Sequence, residues 1–168
     1  FGTDFRSSER LAQSILQVAG RAGRGDRPGE VWIQTFYPEH PLLRTLIESG
    51  YDAFAEQALT ERASTGWPPF SHLVLLRAEC AKRDVLFRFL EQARLAANPL
   101  LSEGLRALGP ATAPMERRSG RYRAQILIQA PNRGQLHGFL PAWRSALTAL
   151  PDARRTRWSL DVDPVELF

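Results

Sequence analysis

The sequence predicts an α/β chain in two parts: the end of an α/β unit with a parallel sheet, then a β-α-β-β-α-β domain of the ferredoxin-like, split βαβ arrangement. Three observations predict it. A helix, a loop rich in arginine and glycine, and a β-branched, aromatic run follow one another over the first 36 residues. Pro68-Pro69 then restricts its neighbours to extended backbone and marks the main boundary. Beyond it, apolar spacings of period two and of three to four alternate in the order strand, helix, strand, strand, helix, strand.

The elements follow in order. Ser7 and Ser8 offer caps and Glu9 suits the positive end of a helix. Leu11, Ile15 and Val18 fall on one helical face, and the glycines from Gly20 onward end it. Asp26-Arg27-Pro28-Gly29 is turn chemistry, and residues 30–36 read as a strand. Helical segments 40–49 and 51–63 flank Gly50, with Phe54, Ala58 and Leu59 on one face of the second. Past the prolines, 71–79 is a strand and 82–97 a helix with Val85, Leu86, Phe89, Leu90 and Ala93 as its stripe. A short strand over 105–111 and a strong one over 122–130 come next, with Ser119-Gly120 as the turn entering the latter. Asn132 caps a helix over 132–150 whose apolar members are Leu136, Phe139, Leu140, Trp143 and Leu147. Residues 155–162 close the domain, with Trp158, Leu160 and Val162 alternating against polar neighbours.

Charge is distributed unevenly. Residues 1–63 hold seven arginines against nine acids, whereas 106–157 hold ten arginines against only Glu116 and Asp152, a local net of +8. A basic region so poor in compensating acids suits a polyanion, although a solvated surface has the same composition. Cys80, the single cysteine, excludes an internal disulfide and a four-cysteine zinc site within the chain and favours a cytoplasmic setting. No apolar run nears the roughly 18 residues that span a bilayer, so no membrane partner is expected. His40, His72 and His137 are too scattered for a metal cluster, and Asp161 and Asp163, two carboxylates on one strand face, read as turn chemistry before Pro164 in preference to a magnesium site.

Three groups of residues carry possible chemistry. Gln17, Gly20, Arg21, Gly23 and Arg24 spell Q-x-x-G-R-x-G-R. A guanidinium stays charged and forked, so two of them three apart at a helix end can stabilise charge on a transferring phosphoryl group, and glycines allow close approach. No glycine-rich phosphate loop surrounds Lys82, the only lysine, so the chain is expected not to hydrolyse ATP by itself. Arg117, Arg118, Arg121 and Arg123, with Tyr122 among them, form the second group, and Arg154, Arg155 and Arg157 the third. Arginine binds phosphate and a tyrosine can stack on a base, or Tyr122 faces the sheet and the arginines are merely hydrated.

The first group matches the last motif of superfamily 2 helicases. With Pro38-Glu39-His40-Pro41-Leu42-Leu43, Gly50-Tyr51-Asp52-Ala53-Phe54, Leu108-Gly109-Pro110, Gly120-Arg121-Tyr122-Arg123 and Trp158-Ser159-Leu160-Asp161-Val162-Asp163-Pro164, it resembles the C-terminal end of the primosomal protein N′ family of replication-restart helicases. The resemblance implies a piece of a longer, ATP- and Mg²⁺-dependent 3′-to-5′ DNA helicase that recognises branched forks and starts primosome assembly in the bacterial cytoplasm, at the nucleoid. Residues 1–36 would end the second RecA-like lobe, with Gln17, Arg21 and Arg24 facing ATP. Residues 37–70 would be a helical connector, and 71–168 a domain for branched and single-stranded DNA. The family's zinc would lie outside this chain. Arg133 would meet the acidic C-terminal tail of single-stranded DNA-binding protein, and His137 stands where relatives often carry Gln. Primosome proteins would be further partners, and a monomer is expected. Two other readings stay open: a module for that acidic tail alone, and an RNA-binding module marked by exposed aromatics on its central strands.

Overall fold

The computed structural model describes residues 4–22 and 29–167. The chain divides into two compact units, Phe1–Thr65 and Gly66–Phe168.

The first unit is helical. Its first helix, α1 (Ser7–Ala22), starts where Asp4 Oδ1 accepts from Arg6 N at 3.2 Å and the Asp4 carbonyl accepts from Ser7 N at 2.9 Å, so Asp4 caps it rather than a serine. The second, α2 (Pro41–Thr65), is bent at Gly50, whose φ of 86° only glycine adopts readily. Thr45 Oγ1 donates to Gln57 Oε1 at 2.7 Å across that bend. Arg62 fastens the two helices by donating to the Phe5 carbonyl at 3.1 Å and pairing with Glu9 at 3.0 Å. Ala12, Leu42, Leu46, Phe54 and Ala58 make the small core.

Three expectations fail here. The buried member of α1 is Ala12, while Leu11 and Val18 are exposed, and Leu59 of α2 is exposed as well. The two helices meet along a narrow seam, and a narrow seam buries a small residue rather than a full amphipathic stripe. Residues 30–36 form no strand: they are paired with no ladder, and Trp32 and Phe36 are 90% and 99% exposed. A strand exists only when a neighbouring strand pairs with it, and α1 and α2 supply none.

The second unit is a mixed α/β domain with a four-stranded antiparallel sheet. Strands β1 (His72–Cys80), β2 (Arg106–Arg118), β3 (Arg121–Ala130) and β4 (Arg157–Val162) lie in the order β2-β3-β1-β4. Helix α3 (Arg83–Ala97) joins β1 to β2, and α4 (Arg133–Ala149) joins β3 to β4. Both helices cover one face of the sheet, where Val74, Leu76, Ala78, Ala124, Ile126 and Ile128 pack against Leu86, Phe89, Leu90, Leu136 and Trp143. Asn132 caps α4 as its sequence predicts, accepting from Gln135 N at 2.9 Å. A single turn of 3₁₀ helix at Asn98–Leu100, which the sequence reading does not anticipate, follows α3.

Strand β2 is longer than its apolar pattern indicates, because it continues through two irregularities, one between Leu108 and Ala111 and one between Thr112 and Arg117. Gly109 sits in the first with φ 107°, and a Cβ there would lie 2.9 Å from the Gln125 carbonyl oxygen, so only glycine fits. Four residues, 113–116, oppose Arg123 alone in the second. Such bulges blunt a sheet edge against pairing with other chains.

The loop before β4 is held by one buried carboxylate. Asp152 accepts from Arg88 Nε at 2.7 Å and from Arg155 Nη1 at 3.2 Å, and its side chain is only 6% exposed. The Arg88 hydrogen bond holds the Asp152 carboxyl below the usual carboxylate range, while burial opposes with a smaller effect. A depressed folded value stabilises the native state above the unfolded value of about 3.9, and that contribution disappears as pH falls through the folded value. Asp152→Asn is therefore expected to lower the urea midpoint at pH 7, with the gap from wild type closing below about pH 4. A gap unchanged down to pH 2 would show that the charge of Asp152 adds nothing.

Candidate nucleic-acid interface

The sheet has a second face, turned away from α3 and α4, and strand alternation decides which arginines reach it. Ala78, Ala124 and Trp158 belong to the helix-side core, so Glu79, Arg123 and Arg157 point the other way. The register sets these three side by side, with Glu79 opposite Arg157 on one flank and opposite Arg123 on the other. At about 4.8 Å per strand, the two guanidinium-bearing positions are roughly 10 Å apart. Arg121 shares the face two residues along β3, and Arg118 lies directly opposite it on β2. Arginines from two separate sequence clusters therefore form one lane, from the β4 edge to the β2–β3 turn.

Electrostatics favours anions along this lane. Arg123, Arg121 and Arg118 have no carboxylate partner among the described residues, and Arg157 touches Glu79 only at 3.4 Å. Glu116, the acid nearest the turn, pairs with Arg83 of α3 at 3.0 Å instead. Arg77, Glu79, Arg123, Arg157 and Ser159 line a recess of about 330 Å³. Arg77 is partly committed: its Nη2 donates to Asp161 Oδ2 at 3.2 Å and to the Glu166 carbonyl, which ties the C-terminal segment to β1. Neither Arg77 nor Glu79 stands out in the sequence, since only cross-strand register places them beside Arg123 and Arg157.

Other expected residues go elsewhere. Tyr122 lies on the helix side at the margin of the core, and Arg117 stacks on its ring at 5.2 Å. That pair sits on the opposite side of the ribbon from Arg118 and Arg121. On the face away from the helices, β1 and β3 carry Leu, Arg, Glu and Gln and no aromatic ring, and Leu73 and Leu75 there are buried, so these strands lack the base-stacking platform of the RNA-binding alternative. Arg155 is engaged with Asp152, and Arg154 is exposed in the loop before β4. Arg133 and His137, exposed and one turn apart on α4, belong to a different face, and Arg133 Nη2 reaches Asp163 at 3.4 Å. In the first unit, Gln17 and Arg21 are exposed one turn apart on α1, and Gly20 lies inside the helix. Gly23 and Arg24 lie outside the described residues.

Fold and site together define a mixed α/β domain with a cationic lane on one sheet face. Residues 63–165 match the family model described as Primosomal protein N C-terminal domain, and the chain belongs to that family. It is 44% identical over 167 residues to the replication restart protein PriA of Haemophilus influenzae, covering 99% of this chain and 23% of that protein. The same-named proteins of Synechocystis sp. and Bacillus subtilis are 37% and 31% identical, over 77% and 96% of this chain and 16% and 20% of their own lengths. The chain thus spans less than a quarter of the length of these three relatives.

Proposed function

We propose that this chain is the C-terminal, DNA-binding part of an ATP-dependent helicase that recognises branched replication forks and starts primosome assembly in replication restart. The observation that carries the DNA contact is the lane of Arg157, Arg123, Arg121 and Arg118 on one sheet face with Glu79 as the acid among them. Guanidiniums fixed on strands contact phosphates without reading bases, which suits recognition of fork shape. The strand order suits a ferredoxin-like domain over 71–168, and on this reading residues 37–70 are a helical connector.

On this reading residues 1–36 end the second RecA-like lobe, and Gln17, Arg21 and Arg24 face ATP and Mg²⁺ held mainly by the rest of the longer protein. Arg21 fits that role: it is exposed in the last turn of α1, and no carboxylate among the described residues neutralises it. Bound ATP supplies the phosphoryl group, and the arginines supply charge stabilisation from one side. Arg133, exposed at the start of α4, suits the terminal carboxylate of the acidic tail of single-stranded DNA-binding protein, with His137 beside it.

Fluorescence anisotropy of the chain with forked DNA across a salt series tests the DNA contact. Four phosphate contacts predict a log–log slope of roughly −3 or steeper, each duplex contact adding about −0.9. A flat slope without binding would assign the arginines to a protein partner or to solubility.

A further inference from the structure

Fork DNA has paired arms and unpaired strands, and the arginines of the β2–β3 hairpin lie on both sides of its ribbon. Resting on the DNA-binding reading above, we infer that the hairpin tip grips a double-stranded arm, with Arg118 and Arg121 on the phosphates of one strand and Arg117 on those of the other.

The tip is narrow and tightly turned. Ser119 and Gly120 have φ of 49° and 77°, the two consecutive positive values of the tight hairpin turn whose twist matches its strands. A two-stranded ribbon is about 5 Å between strand axes, and the major groove of B-DNA, about 12 Å wide, admits one. Guanidiniums project from both sides of this ribbon. Arg118 and Arg121 face each other across the ladder on the open side, and Arg117 lies over Tyr122 on the helix side. A groove has a phosphate backbone along each wall, so a duplex meets both sides at once, whereas a single strand meets one.

Two further observations point the same way. Like charges directly opposite in a ladder destabilise it, so Arg118 against Arg121 is a juxtaposition that a bound polyanion relieves. Single-strand sites draw about 1–3 kcal/mol per base from stacking on aromatic rings. The tip's only ring, Tyr122, is covered by Arg117 and packed against the core.

The test uses the whole chain with a duplex and a single strand of equal length, comparing wild type, Arg117→Ala and Arg121→Ala by anisotropy across salt. All these side chains are exposed, so the variants should fold as wild type does, which circular dichroism checks. Tighter binding of the duplex is expected. Each substitution should reduce the duplex salt slope by about 0.9, and the two together by about 1.8. On the single strand the pair should lose no more than one contact, about 0.7. A single strand bound more tightly than duplex, or a duplex slope untouched by Arg117→Ala, would overturn the two-sided grip while leaving DNA binding by the sheet face intact. Absence of binding to either DNA would overturn the underlying reading as well.

Discussion

Trp143→Ala is expected to cost about 3–5 kcal/mol, out of the ~5–15 kcal/mol typical of a whole domain. Trp143 is fully buried in α4, its ring lies 5.2 Å from that of Phe139, and its Nε1 donates to the Ala93 carbonyl of α3 at 2.9 Å. The substitution therefore opens a cavity and removes the hydrogen bond that keys the two helices together. For a unit of this size each kcal/mol lowers Tm by roughly 4–8 °C, so the loss should be 12 °C or more. Thermal and urea unfolding followed by circular dichroism measure it. Trp143→Phe, which keeps most of the volume and loses the hydrogen bond, should fall between the two. A cost under about 1 kcal/mol for alanine would show that α3 and α4 collapse into the gap, and that this side chain does not set their packing.

The second large effect concerns catalysis in the full-length protein and rests on the proposed ATP-facing role of the α1 end. Arg24→Ala should lower DNA-stimulated ATP hydrolysis by about 10³-fold or more, the scale of a lost arginine finger, while leaving fork affinity nearly intact. Steady-state hydrolysis and fork anisotropy on the same preparation separate the two. Equal loss of both would move Arg24 into the DNA site. The sheet arginines should show the reverse pattern, with DNA affinity and salt slope falling first.

Much of the second unit was legible from local pattern. The alternation in β1 and β3, the stripes of α3 and α4, the Asn132 cap and the Ser119-Gly120 turn each follow from side chains within a few residues of one another. The same reasoning failed over 30–36, where the residues suit a strand and no partner strand is present, and in α1, where a narrow seam selects Ala12 over Leu11 and Val18.

The candidate site was legible only as composition. The sequence by itself determined that arginines concentrate between 106 and 157 with almost no acids, that Q-x-x-G-R-x-G-R begins at Gln17, and that the family resemblance runs along nearly the whole chain. Tertiary structure decided which arginines act together. Arg157 joins Arg123 because both register against Glu79; Arg117 and Tyr122 part from Arg118 and Arg121 because neighbours on a strand face opposite ways; Arg155 is drawn to a buried carboxylate. The physical reason is range. Alternation, capping and turn formation act over two to four residues, and the sequence displays them directly. A charged face is assembled across hydrogen-bonded strands, here joining Arg157 to Arg123 and Glu79 from distant parts of the chain, and its pattern comes into being only when the ladders form.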